Sequence, residues 1–448
     1  MKTTVAIRNA RAAANFRSAV AAVMADQKHD HNHDFGFPDQ IGFQQLYAMW
    51  DRNSLAQAMV SRIAETIWRD DPVLTVGDDT HNETPEEKAI RVAFDDRRLW
   101  AKLADAYMRS LVGDYACAIL RVADNRAWHE PVGTVQGASG LWDIIPAWEG
   151  QITVSEWDLD AASPRYGMPL FYQFSEAQVD DGRSRGTARS LMIHHSRVLV
   201  FSSTGDTFGR SVLRAAFNDL ITYAKVIGSG GEGFWKAARS SMSLEIDKDA
   251  DLNSLAAAMG VETDKLADKL DEVVADFVAG YDKSLMLSGI KPSPMGVTLP
   301  ANPEQYCNGP LQSAAASINC PSKVLIGNQT GERASTEDVK SWNATCASRR
   351  NREVLPVLRD MARRFEVWGV LPPGDWRVQW SDLTEPTGAD KLAGAKIMAE
   401  INAASLGLGE TPFSRAEIRE QAGWDAEAPD DTPDAIPPEM VPPPLPVV

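Results

Sequence analysis

Cysteine is scarce in this chain, with four among 448 residues. Cys117, Cys307, Cys320 and Cys346 are widely separated, form no C-x-x-C pair and have no histidine at ligand spacing. That excludes a zinc module and a disulfide framework and leaves free thiols in a reducing compartment. Positive charge is also short: 45 Lys and Arg face 62 Asp and Glu, for a formal net charge of −17 and an isoelectric point near 4.9. Such a chain lacks the broad basic face on which nucleic acid is held by neutralising phosphates. No segment reaches the roughly 20 apolar residues that span a bilayer. The run Ala19 to Ala25, behind Arg8, Arg11 and Arg17, superficially resembles a secretion signal. It is weakly hydrophobic and no cleavage site follows it, so we read it as part of an N-terminal arm. Motifs of metal enzymes are missing too, with neither H-E-x-x-H nor an EF-hand loop.

What is present is a hydrophobic fraction of 44%, enough for real cores. Residues 1–36 form a flexible arm in which His29, His31 and His33 alternate with polar residues and read as solvated rather than metal-bound. Leu46, Met49, Trp50, Ala56, Met59, Ile63 and Ile67 recur near helical spacing, and Asn53 sits between two helices as a cap. A further helix is expected over Pro85–Val112. Five strand-like runs follow: YACAILRV, LWDIIPAW, QITVSEW, PLFYQF and SLMIHHSRVLVFS. From Phe208 the pattern is one long helix interrupted at Gly228–Gly233. A small αβ unit follows, with strand SMSLEID, a helix capped by Thr263, and strands SLMLSG and MGVTLP. A helix spans Pro303–Ile318, and another runs from Thr336 toward Phe365, broken or kinked by Pro356. Then come strand DWRVQWSDLTEP, helix GADKLAGAKIMAEINAASLG and a short capped helix in TPFSRAEIREQAGW. The last 24 residues hold eight prolines, six carboxylates and no Lys or Arg, the composition of a disordered acidic tail. The fold class is α+β.

Between two of these helices lies KVLIGNQTGERASTED, Lys323 to Asp338, which has the outline of a phosphate-binding loop. A Walker loop needs G-x-x-x-x-G-K-[ST]. Gly327 and Gly331 are only four apart, and Glu332 stands where the lysine should be, so a nucleotide is excluded. The tetrapeptide IHHS places His194 and His195 beside Ser196 and suggests a phosphoesterase-like enzyme. On a strand the two histidines would point to opposite faces, which favours a structural reading.

Three segments in order resemble the portal proteins of tailed bacteriophages. They are IHHSRVLVFSSTGDTFGRSVLRAAFNDL, the block from LPANPEQYCNG through the glycine loop to REVLPVLRDMARRF, and INAASLGLGETPFSRAEIREQAGW. The resemblance implies a portal-type fold: an α/β wing (37–208), a stem helix (209–240), a clip (241–300) and a second stem helix (301–320). A tunnel loop (321–336), a tunnel/wing helix and strand (337–385), a helical crown (386–425) and the acidic tail (426–448) complete it. It implies a ring, usually of about twelve subunits, at one capsid vertex. The terminase large subunit would pump double-stranded DNA through the ring, the head-tail adaptor would dock on it, and the major capsid protein would surround it. It further implies location in the virion, with the host cytoplasm as the place of assembly, and no catalytic residue, metal, cofactor or membrane contact. Asn328, Gln329, Glu332 and Arg333 would meet the DNA as brief, non-specific contacts, with Gly327 and Gly331 as hinges. On this reading the acidic composition keeps phosphate contacts few and weak.

Overall fold

The computed structural model describes residues 30–77, 83–176, 189–238, 242–246, 252–278, 290–294, 303–327, 332–385, 388–405 and 411–424. They form an α+β chain that divides into two units, 1–380 and 381–448. The arm residues 1–29, strands SLMLSG and MGVTLP and the acidic tail lie outside the described residues.

The first unit opens with α1 (Phe43–Arg52) and α2 (Ser54–Ile67). As expected, Asn53 joins them. Its N–H closes α1 on Met49, and its side chain accepts from the Leu55 and Ala56 amides at 3.0 Å, satisfying two of the donors a helix start leaves open. β1 (Val73–Val76) follows, then α3 (Pro85–Asp96) and α4 (Leu99–Val112), where a single helix was expected. The break is at Arg98, which takes a left-handed φ of 53°. It lets Phe94 pack against Trp100, ring centroids 4.7 Å apart, while α4 buries Leu99, Leu103, Ala106 and Tyr107.

β2 (Ala116–Val122), β3 (Leu141–Trp148), β4 (Ile152–Trp157), β5 (Pro169–Ser175), β6 (Ser190–His194) and β7 (Val198–Phe201) make two antiparallel sheets of order β3-β2-β7 and β4-β5-β6. Alternate residues of both, including Cys117, Ile119, Ile152, Tyr172, Phe174 and Ile193, close over one core. The expected single strand 190–202 is in fact β6 and β7 separated by a 3₁₀ turn, His195–Arg197.

α5 (Phe217–Ala238) runs unbroken through its glycines, contrary to the expected interruption, and starts nine residues after Phe208. Packing against α8 (Pro303–Ser317) holds it, and tertiary contacts of this kind override the weak propensity of glycine. Between them β8 (Met242–Ile246) pairs with β9 (Ile290–Pro294), and α6 (Leu252–Ala258) and α7 (Leu266–Val278) share a small core of Ala256, Leu266 and Leu270. Thr263 does not cap α7. It starts a 3₁₀ turn and donates to Asn253 Oδ1 at 2.8 Å.

After α9 (Ser322–Ile326), α10 (Glu332–Arg349) continues through a π turn, Arg350–Val354, into α11 (Leu355–Trp368). The proline does not break the run. Pro356 lacks an N–H and crowds the carbonyl four residues back, and the π turn absorbs this. The same turn swings two polar side chains inward. The Arg350 guanidinium donates to the Ile67 carbonyl and lies 4.1 Å from the Trp380 ring centroid. The buried Glu353 carboxylate accepts from Tyr107 Oη at 3.0 Å, Arg352 at 3.1 Å and Arg349 at 3.4 Å. β10 (Trp376–Gln379) pairs with β1, joining residues three hundred positions apart. In the second unit α12 (Gly388–Ser405) and α13 (Arg415–Gln421) pack together. α13 is the expected short capped helix, and Ser414 and Glu417 close it with a capping box.

Candidate nucleic-acid interface

α5 and α8 form an antiparallel pair. Asp219, in the first turn of α5, accepts from Ser313 Oγ near the end of α8 at 2.7 Å. α8 buries Ala314 and Ala315 near its end, Ile318 just beyond it is buried too, and Pro321 then caps the next helix. The aliphatic run before the glycines is helix α9. It buries Leu325 and ends on Gly327, whose left-handed φ of 74° suits a residue without a Cβ.

Gly327 thus stands at the root of the loop singled out in the sequence. Asn328, Gln329 and Gly331 lie outside the described residues. Glu332 and Arg333 belong to the first turn of α10, which begins four residues before the expected start at Thr336. Beside Gly327 lies an open groove of ≈ 470 Å³, walled by the end of α2, by α9 and by the early turns of α10. Its floor is pinned by Trp342, which donates from Nε1 to Thr66 Oγ1 at 2.9 Å. Arg62, Arg69 and Lys323 line it, with Asp338 opposite. Sequence reading missed this cluster. Its cations come from α2, from the bend after it and from α9, and no linear motif joins them.

The histidines do not lie on opposite faces. Because His195 begins the 3₁₀ turn, the two rings come together with centroids 4.2 Å apart. His194 Nδ1 meets Ser196 Oγ at 2.9 Å and accepts from the Ser196 amide, and the same Oγ accepts from the Val132 amide at 3.1 Å. The hydroxyl is thereby spent on holding the turn. Arg364 of α11 then donates to the carbonyls of His195, Ser196 and Val198 at 3.2, 2.8 and 2.8 Å. This arrangement is a clamp between α11 and the β6–β7 corner.

Burial, reinforced by Arg165, His194 and Arg364, pushes His195 down to about 3, while Asp158 pulls weakly the other way. Among the described residues its buried Nδ1 meets no hydrogen-bond partner. The folded value lies below the unfolded one of about 6.5, so the native state binds fewer protons. The contribution of neutral His195 is complete above about pH 6.5 and is lost as pH falls toward 3. His195→Gln should therefore flatten the decline of Tm across that interval, measured by calorimetry in a pH series. A variant whose Tm falls in parallel with the wild type would contradict this.

The family described as "Phage portal protein" matches residues 44–403, and the chain belongs to that family. It is a structural family, and a portal function follows from the membership, with the virion as location. The phosphoesterase-like alternative finds no support. No curated protein matches the chain. Among solved structures, the neck of a native gene transfer agent particle computed with C12 symmetry is 18% identical over 91% of this chain and 98% of that one, with a TM-score of 0.47. An HK97-family phage portal protein from Corynebacterium diphtheriae is 11% identical over 74% and 95%, with a TM-score of 0.36.

Proposed function

We propose that the chain assembles into a closed ring at one capsid vertex. Double-stranded DNA enters through its channel during packaging by the terminase and leaves through it at ejection, and the head-tail adaptor docks on the same ring. The observation that carries this reading is the family match across residues 44–403. The helix pair α5/α8 supports it, exposing Ile227, Phe234 and Tyr306, each more than half accessible. A Cβ added at Gly228 or Gly231 would meet nothing within 4 Å among the described residues. Helices bare on an apolar side call for neighbours, and the flanking copies of a ring supply them.

On this assignment residues 37–208 are the wing, 209–240 and 301–320 the stem, 241–300 the clip and 386–425 the crown. The segment 321–336 is the tunnel loop, hinged at Gly327 and Gly331, with Asn328, Gln329, Glu332 and Arg333 as its brief DNA contacts. The ring performs no catalysis; the terminase supplies the work. The major capsid protein surrounds it, and assembly takes place in the host cytoplasm.

Light scattering after size exclusion, with negative-stain images, should show rings of about a dozen 49.0 kDa chains around a central hole. Alanine at Gly327 and Gly331 should leave those rings intact while impairing DNA packaging. A stable monomer or dimer would overturn the portal ring, and normal packaging by the double variant would remove the hinge role.

A further inference from the structure

The first described residues, 30–41, form a strap beside α5. A single helical turn, His31–Asp34, closes on Gly36, whose φ of 67° suits a residue without a Cβ. Lys225 of α5 then holds the strap twice. Its Nζ donates to the Phe35 carbonyl at 2.6 Å and lies 5.5 Å from the Phe37 ring centroid. Arg214, just ahead of α5, donates to the Ile41 carbonyl at 2.9 Å. Phe35 and Phe37 meet edge to face with centroids 6.0 Å apart, and Phe35 stays 57% exposed. The strap is thus fixed to the helix by its backbone while an aromatic side turns outward.

A helix advances about 100° per residue, so Ile227 and Phe234 leave α5 on the side roughly opposite Lys225 and its strap. Both are more than half accessible, and α8 takes a third side through Asp219. One flank of α5 therefore carries the strap and the opposite flank is apolar and bare. Two unlike patches do not pair about a two-fold axis. They pair head to tail from copy to copy, the contact from which closed rings are built.

We infer that the N-terminal segment of each copy seals the seam to the next, with the strap's Phe35 seated on the neighbouring copy's Ile227 and Phe234 and the arm ahead of it laid on that copy's surface. This rests on the portal reading above. The contact is between copies because Lys225 holds Phe35 a helix width away from Ile227 of its own chain. The 29 residues ahead of the strap bring Lys2, Arg8, Arg11, Arg17 and Lys28 against Asp26 alone. That is a net +4 in a chain of −17, so the remainder carries −21. An arm of that sign is repelled by other arms and drawn onto an acidic neighbour. Phe16, Val20, Val23 and Met24 give it apolar groups to bury there.

The test uses the full chain carrying Phe35→Cys and Ile227→Cys, both at accessible positions, so its unfolding transition should match the wild type. The native cysteines among the described residues are buried, which leaves oxidation to the new pair. Within one chain the new thiols stand on opposite sides of a helix about 10 Å across, beyond the roughly 7 Å between Cα atoms that a disulfide spans. Oxidised rings should run as a ladder of covalent multimers on a denaturing gel without reductant, and each single variant should run as a monomer. Removing residues 1–29 should raise the chain concentration at which rings half dissociate at least about tenfold at low salt, with the gap narrowing in high salt as the arm's charge is screened. Arg8→Gln/Arg11→Gln/Arg17→Gln should reproduce the salt-dependent share of that rise.

Rings of the double variant that give only monomer on the gel would overturn the inference and leave the portal reading standing. So would rings that withstand dilution equally with and without residues 1–29. A wild type that stays monomeric would defeat the portal reading, and the seal with it.

Discussion

Asp124→Ala is expected to remove about 3–5 kcal/mol of stability, the usual result of taking one partner from a buried ion pair. Asp124 Oδ2 accepts from Arg197 at 2.6 Å, and each side chain is 2% exposed. The same oxygen accepts from the Gly133 amide at 2.9 Å, so the carboxylate also fixes the loop leading from β2 toward β3. Among the described residues Arg197 Nε meets no hydrogen-bond partner, so little else there compensates the guanidinium once the carboxylate is gone. The double change Asp124→Leu/Arg197→Met should recover much of the loss, because a hydrophobic pair brings no desolvation cost. Denaturant unfolding at fixed chain concentration measures both, since assembly shifts apparent stability. A loss below about 1 kcal/mol would show that water reaches the pair.

The second large effect is expected at Glu353. Its carboxylate is buried and serves Tyr107, Arg349 and Arg352 together. Burial and the neighbouring Glu353 charge hold the Tyr107 phenol well above its ordinary value, so it stays a donor at all working pH. Glu353→Ala strands a buried hydroxyl and the largely covered Arg349, and should cost about 3 kcal/mol. Tyr107→Phe deletes one of three donors and should cost only about 1 kcal/mol. Calorimetry on the two single variants and the double variant closes a cycle whose coupling should be positive. Full additivity would mean the hydroxyl and the carboxylate act independently.

Helix ends were legible wherever one side chain does the capping. Asn53 before an apolar repeat and Ser414 three residues ahead of Glu417 announce their geometry locally. The run VLI before Gly327 was not, because a short apolar stretch satisfies strand and helix alike. The glycines of α5 read as a break, since propensity is local whereas the partner that holds the helix comes some ninety residues later. Arg98 gives no warning, being an ordinary residue forced left-handed by the packing of Phe94 on Trp100. The histidines were misplaced for one reason: a three-residue turn replaced extended chain at His195, and alternation of faces ends where a strand does. The family motifs were readable, whereas the groove was not. Its cations are brought together by tertiary structure and follow no spacing that a linear motif would register.

The π turn at Arg350–Val354 has a consequence for the length of the chain rather than its composition. One extra residue in a helical turn advances everything downstream by about 100° about the axis. α10, which carries Trp342 against α2, and α11, which carries Arg364 onto the β6–β7 corner, are therefore two segments of one screw set out of phase. Deleting any single residue between Arg350 and Val354 would restore an unbroken thread and rotate one of those faces away from its seat. This stretch should tolerate almost no change of count, quite apart from what its buried Arg350 and Glu353 side chains hold in place.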